Sequence, residues 1–276
     1  MKVWQLISEM NWTSRMGLLV VSVFGFCAIF APWLAPYGQS EIVGDVWEPL
    51  FGNFFFGTDQ IGRDMLSMLI YGARNMIALA LLTTGCAFGL GSLLGFLAAT
   101  MGGWVDQVLS RFVDVVISIP TLIFALIVLS STGTSIFALV TVIAIIYAMP
   151  VYRIARAVAM DIEVMDYVEA ARLRGEGLWW IMRKEILPNA LTPLAAEFGL
   201  RFCFVFLLIS GLSFLGLGLQ PPLADWGAMV RDNGGGIAWG FMHPLVPATC
   251  IALLTIGINL IVDSVVQKAS GLREDH

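Results

Sequence analysis

Residues 75–100 read NMIALALLTTGCAFGLGSLLGFLAAT, a stretch without Asp, Glu, Lys, Arg or His. A bilayer core ~30 Å thick is crossed by about 20 apolar residues of helix, and this run exceeds that length. Backbone groups in lipid must pair within the segment, so such a run is a helix. The period-two alternation of a barrel strand is absent. Outward from it, the segments 16–34, 112–130, 136–152, 194–219 and 244–266 carry the same signal, the fourth span being short. The composition agrees: 58% of residues are hydrophobic and 13% charged, against roughly 45–50% and 25% in soluble domains. The sequence therefore predicts an all-α membrane protein of about six transmembrane helices. No Ser-rich, Pro-rich or polar linker interrupts it, which predicts one transmembrane domain over residues 1–276.

Charge sets the expected orientation. Residues 153–192 hold Arg153, Arg156, Arg172, Arg174, Arg183 and Lys184. Within the loop expected over 35–74, residues 35–72 hold Glu41, Asp45, Glu48, Asp59 and Asp64 against the single cation Arg63. The positive-inside rule puts the first segment in the cytoplasm and the second outside, together with 220–243. Both termini, with Lys2 and Arg15 at one end and Lys268 and Arg273 at the other, then fall inside. The first apolar run ends Phe30-Ala31-Pro32-Trp33 rather than in a small-x-small cleavage site, and reads as a retained helix.

Several function classes are disfavoured. The net charge is -5, and no basic block marks a nucleic-acid surface. Cys27, Cys86, Cys203 and Cys250 lie in apolar runs without CxxC spacing or a nearby His, and read as buried apolar residues rather than metal ligands or disulfides. Helix centres nearly free of charge count against an ion-driven carrier or a channel. A non-transporting scaffold would be separated from a transporter by normal uptake after deletion. Arg111 with Asp114, and Glu197 with Arg201, read as structural pairs near helix ends. His243, before Pro244, reads as an outer loop residue. Gly85, Gly89, Gly91 and Gly95 in the second span, and Gly211, Gly216 and Gly218 in the fifth, predict close helix packing.

The most informative segment is 153–192, RIARAVAMDIEVMDYVEAARLRGEGLWWIMRKEILPNALT. Val158, Ile162, Met165, Val168 and Ala171 recur near helical spacing, Gly175 and Gly177 break the pattern, and Leu178–Leu187 begins a second apolar stretch. Two short cytoplasmic helices with a glycine hinge are expected, Pro188-Asn189 marking a stop or turn. Ala170 and Ala171 would form a flat face for a docking protein, with Glu169, Arg172 and Arg174 around it. The alternative is an amphipathic helix resting on the membrane.

Glu169-Ala170-Ala171, Gly175 and then Ile186-Leu187-Pro188-Asn189 resemble the EAA loop of ABC importer permeases. Glu185 stands where the subfamily often has His, which changes the charge beside the expected ATPase contact. A second match, Phe56-Gly57-Thr58-Asp59-Gln60-Ile61-Gly62-Arg63-Asp64 with Tyr71-Gly72-Ala73-Arg74, is similar to the segment after the first helix of dipeptide and oligopeptide permeases. A third, Gly211–Pro222 followed by Asp225-Trp226-Gly227, resembles the shorter of their two permease subunits. The resemblance implies a type I importer permease in a bacterial or archaeal cytoplasmic membrane. It implies a second, homologous permease, two ATP-binding subunits that use ATP and Mg, and an extracytoplasmic binding protein. The chain itself would bind no cofactor and catalyse no reaction; it has no Walker-type GxxxxGK[ST]. Glu169, Ala170, Ala171, Gly175, Ile186, Leu187, Pro188 and Asn189 would couple it to the ATPases. Gly57, Thr58, Asp59, Gly62, Arg63, Asp64 and Trp226 would order or dock the outer face. Peptide is the expected substrate, with nickel, opine or oligosaccharide as alternatives.

Overall fold

The computed structural model describes residues 11–270; Lys2 and Arg273, which entered the charge bias, lie outside the described residues. The chain is helical: α1 Trp12–Ile29, α2 Ala31–Leu34, α3 Met65–Met101, α4 Gly103–Ile117, α5 Thr121–Thr132, α6 Ile136–Glu163, α7 Asp166–Leu173, α8 Leu178–Ile181, a π-helical turn Met182–Ile186, α9 Leu187–Phe214, α10 Trp226–Asn233, a 3-10 turn Gly234–Trp239, and α11 Leu245–Ser270. Five helical stretches are long and apolar enough to cross a membrane, or six if the bent pair α4–α5 is one span. Five of the six spans expected from sequence coincide with a long apolar helix, though their ends differ, and the expected third span falls on the bent pair.

The first run breaks at Phe30 because Pro32 sits in the opening turn of α2, where its missing N–H costs nothing. The second span starts at Met65, not Asn75, so the first outer loop ends earlier than residue 74. Asp64 Oδ2 accepts from Ser67 N at 2.9 Å and Ser67 Oγ at 2.6 Å, satisfying donors that the helix start leaves open. The expected third span is not straight. Pro120, which supplies no N–H to a continuing helix, stands at a bend of 86° between α4 and α5. The fourth is not short: α6 runs on to Glu163, because Arg153 and Arg156 find acids on α4. The fifth begins before residue 194 and stops at Phe214, where Gly216 takes a left-handed φ of 89°.

The chain divides into two compact units, Met1–Leu81 with Leu129–Leu139 and Phe202–His276, and Leu82–Val128 with Val140–Arg201. In the first unit α1 and α11 touch through glycine. A Cβ at Gly17 would lie 2.6 Å from Gly257 O, and Ser14 Oγ donates to Leu260 O at 3.2 Å. In the second unit α4 runs antiparallel beside α6. Asp106 pairs with Arg156, the Ser110 and Tyr152 hydroxyls lie 2.9 Å apart, and Arg153 Nη2 donates to Asp114 Oδ1 at 2.5 Å. Asp114 thus pairs across helices with Arg153 rather than along its own helix with Arg111. Glu197 and Arg201 do pair along α9.

The glycines of α3 separate into two kinds. A Cβ at Gly91 would lie 2.5 Å from Ala148 O, and one at Gly95 would lie 2.8 Å from both Arg156 N and Tyr152 O, whereas Gly85 and Gly89 face open space. Overpacking a helix contact costs about 1–3 kcal/mol. Gly91→Val and Gly95→Val are therefore expected to lower the amount of folded protein in membranes, while Gly85→Ala and Gly89→Ala leave it unchanged. Detergent-extracted, size-exclusion-resolved yield measures the difference.

Candidate functional site

The segment expected to be a cytoplasmic loop is mostly helix. Residues 153–163 complete α6, and α8, the π turn and α9 form one continuous helical stretch from Leu178 to Phe214. Pro188 does not stop it. A proline in a helix removes one i→i−4 bond and crowds the carbonyl four residues back; the wider π turn Met182–Ile186 lies directly before it and makes that room. What projects is only α7 and the turns on either side, residues 164–177.

α7 is fixed from inside. Val168 and Ala171 are fully buried in a cluster with Phe96 of α3, Ala155, Ala159 and Ile162 of α6, and Ile181, Met182, Ile186, Ala190 and Leu194. This corrects the expected docking face. Ala171 is small because it packs against its own unit, Ala170 is half-buried, and Glu169 is exposed. Ile186 is equally buried, whereas Leu187, Pro188 and Asn189 are exposed, and Asn189 Nδ2 caps Glu185 O at 2.6 Å. The outward surface of the segment mixes the charges of Asp166, Glu169, Arg172 and Arg174 with apolar side chains: Leu173 is 83% exposed, Val164 80% and, just past the segment, Trp179 63%.

Gly175 ends α7 as a fixed corner. Its φ is 81°, its N–H donates to Arg172 O at 2.9 Å, and the Glu176 N–H donates to Ala171 O at 3.2 Å. This pair of bonds is the Schellman arrangement, which uses the carbonyls the helix end would leave open. The expected hinge is therefore a hydrogen-bonded turn. Gly177, with φ −76°, sits in ordinary extended backbone.

The residues expected on the outer face form a second polar construction. Asp59 Oδ1 accepts from the Ile61 and Arg63 N–H groups at 3.0 and 2.9 Å, and Arg63 Nε donates to Oδ2 at 2.6 Å. Thr58 Oγ1 donates to Asp45 O at 2.5 Å and accepts from Glu48 N at 2.8 Å. Gly57 and Gly62 take φ of 70° and 85°; a Cβ at either would lie 2.2 Å from a backbone oxygen, Glu48 O and Gly44 O respectively. His243 is wholly buried there, its Nε2 2.8 Å from Glu48 O, which makes it a loop residue built into the cap.

Trp226 belongs to the core, not to an outer docking surface. It is fully buried, donates Nε1–H to Leu69 O at 2.9 Å, and meets Phe24 and Phe206 edge-on. Its ring lies so close to Gly72 that a Cβ there would be 2.6 Å from Cδ1. Asp225 caps α10, accepting from Gly227 N and Ala228 N at 2.8 and 3.2 Å and from Ser213 Oγ at 2.5 Å. Burial pushes its carboxyl up from the ordinary value, against the downward pull of Ser213 and of the Ala228, Gly227 and Leu219 N–H groups.

The sequence matches the family described as binding-protein-dependent transport system inner membrane component over residues 91–269. The chain belongs to this family. It is 36% identical over 255 residues to the di/tripeptide transport system permease protein DppC of Pseudomonas aeruginosa, covering 90% of this chain and 84% of that one. It is 33% identical over 240 residues to the probable D,D-dipeptide transport system permease protein DdpC of Escherichia coli, covering 86% and 80%. A chain of a crystal structure described as an amino acid ABC transporter with histidines superposes with a TM-score of 0.50 and 23% identity over 72% of this chain and 92% of that one; this likeness concerns the fold. A permease of this family is a multi-pass inner membrane transport component, not a catalytic enzyme, and works with an ATPase and a substrate-binding protein.

Sequence reading missed three features of this permease. Leu173, on α7, and Val164, in the turn before it, lie off the apolar stripe of Val158, Ile162, Val168 and Ala171, which was the available sign that they are exposed. The π turn was signalled by Pro188 inside an otherwise unbroken helical pattern. The ion pair between Arg172 and Glu163 had no signal, since the partners lie on different helices.

Two measurements test this geometry. Gly175→Val, at positive φ, costs about 1 kcal/mol or more in backbone strain, whereas Gly177→Ala is neutral; thermal melting of the purified complex ranks them. For Asp225 the sign is that of a raised acid: the folded state holds the proton more tightly than the unfolded one, so stability is lost as pH rises from about 4 through the raised value. Asp225→Asn keeps the cap without that loss. Its melting temperature is expected to gain on wild type as pH rises, while Asp225→Leu, which leaves the α10 donors open, melts lower throughout.

Proposed function

We propose that this chain is the permease subunit that forms half of the translocation pathway for di- or oligopeptides in an ATP-driven importer. It pairs with a homologous but different permease above two ATP-binding subunits. The observation that supports the reading is the projecting segment 164–177, which exposes Val164, Leu173 and Glu169, with exposed Trp179 just beyond it, on a buried cluster of the chain's own unit. Exposed apolar side chains anchored on a packed cluster suit a partner surface, and an ATPase that moves on binding ATP is the partner this reading assigns. The relatives named above, whose names specify dipeptide and tripeptide transport, support peptide as the substrate. Coupling follows alternating access: ATP binding favours one arrangement of the permeases by differential contacts at this surface, and hydrolysis releases it.

Deletion of this chain from its host is expected to abolish uptake of a labelled dipeptide, restored by the wild-type chain. Unchanged uptake excludes the transport reading, and restored uptake of nickel rather than peptide excludes the substrate. Glu169→Lys is expected to reduce uptake and binding-protein-stimulated ATP hydrolysis together, by roughly fivefold or more if coupling of ordinary strength is lost, while peptide binding to the binding protein is unaltered. Topology is tested separately: in a cysteine-free chain, Ala170→Cys is expected to resist an impermeant maleimide added to intact cells and to react in inverted vesicles.

A further inference from the structure

Both carboxylate oxygens of Glu163, the last residue of α6, are shut off from solvent and accept no hydrogen bond among the described residues, so the charge is met by proximity to a cation. Among the described residues, its partner is the guanidinium of Arg172, the residue after Ala171 on α7. Arg172 Nη2 also reaches Thr100 O near the end of α3, at 3.5 Å. One side chain of α7 thus holds the terminal turns of two membrane helices. We infer that Arg172 is a positioning residue for coupling: its ion pair with Glu163 makes α7, α6 and the end of α3 move as one body, so that a displacement of α7 reaches the spans undiminished.

The physical case rests on asymmetry. The apolar cluster under α7 is non-directional and, through Val168 and Ala171, resists separation better than rotation or sliding. An ion pair from the exposed side of the same helix, at the residue after Ala171, adds the missing constraint on rotation. Removing one partner leaves the enclosed carboxylate without a counter-charge, which is costly, while removing both is much less so. Stability and positioning are therefore separable, because neutralising both residues relieves the buried charge without restoring the tie.

The inference rests on the importer reading, and the test keeps the two apart. The full importer, carrying a cysteine-free version of this chain, is reconstituted in proteoliposomes with its binding protein. Uptake of alanyl-alanine and ATP hydrolysis are measured for wild type, Arg172→Met, Glu163→Gln/Arg172→Met and the swap Glu163→Arg/Arg172→Glu. Spin labels at Tyr167→Cys and Met160→Cys, both exposed positions, report the α7-to-α6 distance with and without trapped nucleotide.

Arg172→Met is expected to lower peptide imported per ATP roughly tenfold, within the usual range of coupling between sites, and to broaden the distance distribution. The double neutral variant should recover yield but not coupling, and the swap should recover both. Imported peptide per ATP equal to wild type in the double neutral variant, or a distance distribution as narrow as wild type in Arg172→Met, overturns the inference. If wild type imports no alanyl-alanine, the peptide reading fails, and the spin-label comparison still decides the role of Arg172.

Discussion

Every backbone N–H and C=O at membrane depth has to close its hydrogen bond inside the protein, because lipid offers none. Most of this architecture follows from that constraint. Where the chain stays helical it needs no further device; where it stops, a specific residue takes over. Pro32 opens α2, and Ser118 Oγ donates to Val115 O at 2.7 Å just before the α4–α5 bend. Gly175 and Gly216 take left-handed φ at helix ends, and Asp64 and Asp225 accept from the first N–H groups of α3 and α10. Proline is accepted inside helices at Pro150 and Pro193, and at Pro188 the preceding π turn absorbs the disturbance.

Charge is handled by the same economy. Asp106, Asp114, Arg153 and Arg156 would each be expensive alone beside apolar spans, and pairing between α4 and α6 turns them into a ladder that also fixes how the two helices sit in register. The Ser110–Tyr152 contact stands between the two ion pairs. Exposed ion pairs contribute little on their own, and Arg153–Asp114 is half exposed; Arg156–Asp106 is more enclosed. The buried Val113, packed with Ala148 and Met149, supplies the apolar part of the same contact.

The spans were legible because hydropathy over about 20 residues is a strong and local signal. Their ends were not, because an end depends on what a single carboxylate or proline meets. Asp64 starts α3 by contacts with Ser67, and no periodicity marks them. Arg153 and Arg156 read as loop residues until their acids on α4 are known. Trp226 shows the same limit: an aromatic in a Gly- and Pro-rich segment reads as an interface residue, and its burial depends on Gly72, far away in sequence, leaving room for the ring. The Asp59–Arg63 arrangement was readable, since its partners are four residues apart and the glycines on either side permit the turn.

The glycine between α7 and α8 bears on how force can pass through this permease. A flexible hinge at Gly175 would let α7 yield when an ATPase pushed on it, and the motion would be spent in the turn. The observed corner closes two hydrogen bonds and stands beside a packed cluster, so pulling α7 away would part it from Ile181 and Ile186. Open space surrounds the Gly175 Cα, so glycine is required there by backbone conformation and not by the approach of a neighbour. Ala171 carries the complementary demand, a small side chain facing inward where a larger one would lift α7 off the cluster. The two short residues therefore serve one purpose, a stiff connection between an exposed surface and a membrane span.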